Sequence, residues 1–159
     1  IAHLLNTYNE FIGIFMMSEW KYSDDWSEEE MLSGEYAGFV YIFQFEDGSN
    51  YVGAKQIYQR VKDARKLKPT SKENGWREYL SSSNVVKNKI ENGEQYSKTI
   101  LWCFATMREV MIVEAILILH QMLKPECLNL AMMSKIRSPN AKDKKRLLGI
   151  VQELLEYLN

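Results

Sequence analysis

The chain has 159 residues, 46% hydrophobic and 26% charged, the size and balance of one soluble globular domain; a collagen-like, low-complexity or disordered protein is excluded. Its net charge of −1 hides an uneven distribution, because residues 1–50 carry one basic residue, Lys21, against ten acidic ones, whereas residues 51–159 carry nineteen basic against eleven acidic. Balances of −9 and +8 put a cationic surface on the second segment, the electrostatic footprint of a polyanion partner.

In residues 1–20, Leu4, Leu5, Tyr8, Phe11, Ile12, Phe15 and Met16 recur at helical spacing. They predict an amphipathic helix packed on the domain's own sheet or on a second copy of the chain. Residues 21–34 are acidic, and Ser27 with Glu30 three positions on has the spacing of a capping box, so a short helix is expected there. Residues 39–45 are rich in β-branched and aromatic side chains, Asp47-Gly48 forms the middle of a turn, and Tyr51-Val52-Gly53 resumes the strand. This is a β-hairpin pattern. It sets Tyr41 and Tyr51 side by side on one face, and Gly53 permits close approach of a backbone or a phosphate.

In residues 57–67, Ile57, Val61 and Ala64 alternate with Arg60, Lys62, Arg65 and Lys66, predicting a helix with a buried stripe and a cationic face. A polar loop follows over residues 68–75. Eight basic residues against two acidic ones lie between Lys55 and Arg77. Lys55, Lys62, Arg65, Lys66, Lys68 and Arg77 are therefore candidates for contact with nucleic-acid phosphates, which fix register without reading sequence. Trp76 and Tyr79 suit either stacking on bases or the core.

Residues 83–92 predict a helix stopped by Gly93, and residues 96–104 a third strand. Thr106, with Glu109 three residues on, caps a helix running to about Met122. Glu114 stands in its apolar middle, between Val113 and Ala115, where a carboxylate requires a metal or a cationic partner. The apolar stretch over residues 110–123 is broken by Glu114, His120 and Gln121 and is too short to cross a bilayer, so no membrane span is expected. The amino terminus shows no basic region followed by a cleavage site, and a cytoplasmic location is expected. Cys103 and Cys127 lack CxxC spacing and a histidine cluster, and read as buried free thiols with neither a disulfide nor a zinc site. Ser138-Pro139 introduces a last helix over residues 140–158, basic at its start and apolar at Leu147, Leu148, Val151, Leu154, Leu155 and Leu158.

Taken together, these landmarks resemble the GIY-YIG nuclease family. Phe39-Val40-Tyr41 stands where the family has Gly-Ile-Tyr, and Tyr51-Val52-Gly53 where it has Tyr-Ile-Gly; Arg60, Glu114 and Asn129 follow in the family's order. Trp76, Tyr79 and Ser81-Ser82-Ser83 resemble a subgroup common in bacteriophage genomes. The resemblance covers residues 36–132. Two departures stand out: Phe39 replaces the motif's first glycine, with Gly38 one place earlier, and Arg60 follows Tyr51 one residue sooner than is commonest, which leaves Lys62 or Arg65 as alternative cations.

The resemblance implies an α+β fold, a small three-stranded antiparallel sheet flanked by helices, over residues 36–133. Residues 1–35 would add a helix and an acidic segment packed on this core, and residues 134–159 a basic amphipathic helix of the same unit. It further implies a metal-dependent DNA endonuclease, phage or mobile-element encoded and acting in the host cytoplasm, with Mg²⁺ or Mn²⁺ at Glu114. Tyr41 would be the general base or would position the attacking water, with Tyr51 assisting. Arg60 would clamp the phosphate, and Gly53 and Asn129 would support the site. DNA is the implied partner, and cutting both strands would need a second copy of the chain, sequential nicks or a second binding mode. The alternative is a catalytically weakened member that binds nucleic acid or a host-defence protein.

Overall fold

The computed structural model describes residues 19–122, 124–130 and 139–159, so the helix expected at the amino terminus lies, up to residue 18, outside the described residues. Strand β1 (Trp20–Tyr22) comes first, followed by the short helix α1 (Glu28–Met31), where the Ser27 hydroxyl accepts a hydrogen bond from the Glu30 N–H as the capping spacing predicts. Strands β2 (Gly38–Phe45) and β3 (Asn50–Gln56) make the expected hairpin, and the Asp47 carboxylate accepts from the Ser49 N–H to close its turn. Helix α2 (Asn84–Glu91), strand β4 (Tyr96–Phe104), helix α3 (Met107–Gln121) and helix α4 (Ala141–Leu158) follow. Ser83, Thr106 and Asn140 cap the three helices through their side-chain oxygens.

The sheet departs from the three antiparallel strands expected. It has four strands in the order β1-β4-β2-β3 and is mixed, with β2 antiparallel to both β3 and β4 and β1 parallel to β4. Three residues carry too little periodicity to announce a strand. Tertiary contacts hold β1 instead: the Trp20 indole donates to the Trp76 carbonyl at 2.7 Å, and its ring packs edge-on against Phe39, Tyr41 and Phe43.

The cationic helix expected over residues 57–67 is also absent, and only a 3-10 turn (Ala64–Lys66) forms. Isolated turns apart, the backbone there is tied to distant partners. The Ile57, Gln59 and Ala64 N–H groups donate to the carbonyls of Ala37, Lys72 and Ala105. Arg60 adopts a left-handed φ of 60°, and the Asp63 side chain accepts from the Arg65 N–H. Left-handed backbone and local side-chain capture both oppose a helix, and here they override the sequence pattern.

Alternation along β2 separates two cores. Val40 and Ile42 face α3 and α4, burying Val110, Val113, Leu117, Leu147, Val151 and Leu154. Phe39, Tyr41, Phe43 and Phe45 face the opposite side, an aromatic layer shared with Trp76, Val86 and Ile100. Among the described residues, no helix is long and apolar enough to cross a membrane. Leu117 is fully buried at the α3 side of the sheet. Truncation there leaves a cavity, so Leu117→Ala is expected to cost about 3 kcal/mol in urea denaturation; a loss under about 1 kcal/mol would contradict this packing.

Candidate active site

Tyr41 sits on the central strand β2, opposite Gly53 of β3, and only 1% of it is exposed. A Cβ placed on Gly53 would overlap the Tyr41 hydroxyl, so the glycine leaves the space that the phenol occupies. Tyr51 pairs with Phe43, one step along the same face, and its ring centroid lies 6.4 Å from that of Tyr41. The two tyrosines thus share a face as neighbours on the diagonal. The register of β2 against β4 shifts between Val40 and Tyr41, placing a β-bulge beside the phenol. Gly38 answers the missing motif glycine: a Cβ there would lie 2.8 Å from the Lys55 carbonyl and would overlap Met107, whereas Phe39 is packed in the aromatic layer.

Residues 79–82 close over the tyrosines. Ser81, buried and left-handed at φ 78°, lies close enough to Tyr41 and Tyr51 to lower the pKa of both phenols, Ser82 does the same to Tyr51, and Tyr79 raises Tyr41. The Tyr79 and Tyr41 rings meet edge-on at 6.0 Å. Burial, and next the neighbouring Tyr79, push the Tyr41 phenol far above its ordinary range, against the opposing effect of Ser81. Burial also raises Tyr51, and the charge of Glu114 adds to that rise, which brings α3 into the same electrostatic environment. The sequence marked Ser81 and Ser82 only as part of a serine run resembling a subgroup of the family, with no role at the site.

Glu114 is half-buried, and burial pushes its carboxyl from an ordinary 4.5 up to about 7. No hydrogen bond or ion pair satisfies it among the described residues. Met111, three residues earlier on the same side of α3, borders a cleft of about 780 Å³ whose rim includes Gln56, Lys62, Arg65 and Arg108. Asn129 grips the other side of β3: its Oδ1 accepts from the Val52 N–H at 3.0 Å and its Nδ2 donates to the Val52 carbonyl at 2.8 Å. That pair of bonds fixes the strand between Tyr51 and Gly53.

The candidate cations separate into paired and unpaired groups. Arg65 is bidentate on Asp63, whose carboxyl it pulls down to about 2. Arg77 pairs with Glu73 and Glu28 and lies 4.4 Å over the Trp76 ring, while Trp76 itself is 2% exposed. Arg60, Lys62, Lys66 and Lys68 are exposed and form no ion pair among the described residues. Lys55 is half-buried, with Nζ 4.4 Å over the Tyr79 ring.

Glu114 holds its proton more tightly folded than unfolded, so stability is full at low pH and falls as pH rises from about 4.5 through 7. In metal-free buffer Glu114→Gln is therefore expected to be more stable than the parent at pH 8, by the order of 1 kcal/mol once solvent screening is allowed for, and equal to it at pH 4. A difference in melting temperature independent of pH would refute the assignment. Gly53→Ala is expected to cost about 2 kcal/mol by forcing the Tyr41 ring aside, measured in the same melts.

Comparison with known families agrees with this arrangement. A family model described as "Putative endonuclease segE, GIY-YIG domain" matches residues 20–131, which start on the first residue of β1 and include both tyrosines, Ser81, Glu114 and Asn129. No curated protein and no solved structure matches the chain. With most of its length inside the matched domain, the chain belongs to the GIY-YIG endonuclease family.

Proposed function

We propose that the protein is a metal-dependent endonuclease hydrolysing phosphodiester bonds in DNA, of the kind carried by phages and mobile elements. One observation carries this reading: Glu114, a half-buried carboxylate without a hydrogen bond or ion pair among the described residues, acts electrostatically on one of two tyrosines that share a face of the sheet. A carboxylate with its pKa raised by burial gains from a cation that neutralises it. Among the described residues there is no group of three or more His, Cys, Asp or Glu side chains gathered as a metal cage. A single carboxylate suits Mg²⁺ or Mn²⁺, which keep waters in most positions and take the rest from a substrate phosphate. Bound there, the ion would offset charge developing on the phosphate and lower the pKa of water.

The chain's own groups supply the remainder. Burial keeps the Tyr41 phenol protonated at rest, so it orients water through hydrogen bonds, and removing a proton from that water requires cations near the site to favour the phenolate. Tyr51, less buried and lowered by Ser82 and Ser81 against the charge of Glu114, stands between Tyr41 and that carboxylate in electrostatic influence. Asn129 keeps β3 in place beneath both. Lys62, Lys66 and Lys68, unpaired among the described residues, provide a track for the DNA backbone.

The burial of Tyr41 favours a second reading, a member that binds nucleic acid without cutting it. Plasmid nicking separates the two. Supercoiled DNA is expected to open only with Mg²⁺ or Mn²⁺, and Glu114→Ala and Tyr41→Phe are each expected to slow this by about 100-fold or more. DNA that stays intact under every condition but is retarded in a gel would leave the binding module.

A further inference from the structure

We propose that Lys55, rather than Arg60, is the cation that grips the scissile phosphate; the assignment rests on the nuclease reading above. Side chains alternate along β3, so Tyr51, Gly53 and Lys55 project on one face while Val52 and Ala54 pack toward α3. The Lys55 ammonium lies 4.4 Å from the centroid of the Tyr79 ring, and that ring meets the Tyr41 ring edge-on with centroids 6.0 Å apart. Lys55 therefore stands next to the tyrosine pair, separated from Tyr41 by one aromatic ring.

Arg60 lies beyond the end of β3, at an exposed left-handed position in the excursion whose Gln59 N–H is tied to the Lys72 carbonyl. Two other cations offered by the sequence are already engaged: Arg65 is bidentate on Asp63, and Arg77 is held by Glu73 and Glu28; Lys62 lines the cleft beside Met111 rather than the Tyr79 ring. Lys55 has no carboxylate partner among the described residues. Its cation–π contact is a weak hold compared with a charge-assisted bond to a phosphate oxygen, so the ring parks the ammonium without retaining it. Partial burial strengthens the attraction for a phosphate that enters, and it draws the Lys55 pKa below its ordinary value.

Two measurements test this. In nicking assays at saturating DNA, Lys55→Met is expected to lower turnover about 100-fold, Lys55→Arg to retain at least about a tenth, and Arg60→Met to stay within about threefold of the parent. A Lys55→Met rate within about threefold of the parent, or an equal or greater loss in Arg60→Met, overturns the proposal. In the second, the unaltered protein is acylated in EDTA with and without a short DNA duplex, and each lysine is read by mass spectrometry. Bound duplex is expected to protect Lys55 about tenfold and to leave Lys21, on the opposite edge of the sheet, unchanged. Cleavage with an unprotected Lys55 would defeat the proposal and keep the nuclease; protection without any cleavage by the parent would defeat the nuclease and with it the scissile assignment, leaving Lys55 as a contact to the DNA backbone.

Discussion

The site depends on one steric fit, the Tyr41 phenol lying in the space that Gly53 leaves on the neighbouring strand. Any side chain at that position would displace the ring, and the ring is the centre of the aromatic layer, meeting Phe39, Phe43, Trp20 and Tyr79 edge-on. Edge-to-face contacts of this kind are directional, so one displaced ring unsettles its neighbours. Asn129 protects the fit from behind, since both of its amide bonds go to Val52, the residue between Tyr51 and Gly53. Glycine and asparagine thus serve the same geometry from two sides of β3.

The segment that covers the tyrosines is held by groups from the far side of the sheet. Lys98 on β4 is 1% exposed, and its ammonium donates to the Arg77 and Tyr79 carbonyls at 3.0 and 3.4 Å, under the face of Trp20. Burial draws that ammonium down to about 8, with Glu78 pulling the other way. The Trp20 indole takes the Trp76 carbonyl. Backbone carbonyls in an irregular segment have no ladder to satisfy them, and these two side chains replace it. β1 and β4 thereby hold Tyr79 and Ser81 against Tyr41, although neither strand carries a candidate catalytic group.

Legibility in the sequence followed the range of the interactions. The hairpin, the strand over residues 96–104 and the helices rest on local chemistry, which strand alternation, helical apolar spacing and the capping spacings at Ser27 and Thr106 displayed. β1 and the irregular course of residues 57–67 rest on distant partners, Trp76 for one and Ala37, Lys72 and Ala105 for the other. Those partners leave no periodic mark. The expected cationic helix failed because its apolar spacing described burial correctly, with Ile57 and Val61 both buried, while its backbone bonds went elsewhere. In the candidate site, Tyr41, Tyr51, Gly53, Glu114 and Asn129 were visible as motif positions. The closeness of Lys55, Tyr79 and Ser81 to them arises where a loop returns over a sheet, and spacing along the chain does not encode it.

The same distinction governs charge. A formal −1 hides a pattern in which carboxylates neutralise chosen cations: Glu28 and Glu73 hold Arg77, Asp63 holds Arg65, Asp47 and Glu94 hold Lys89, and Glu109 and Asp143 hold Arg146. Glu28 belongs to the acidic first fifty residues, so part of that segment's charge is absorbed in fixing the loop ahead of Tyr79. Lys55, Arg60, Lys62, Lys66 and Lys68, which continue from β3 outward, keep their charge unpaired among the described residues. The pull such a surface exerts on a polyanion is set by which cations are left unmatched rather than by the sum over the chain.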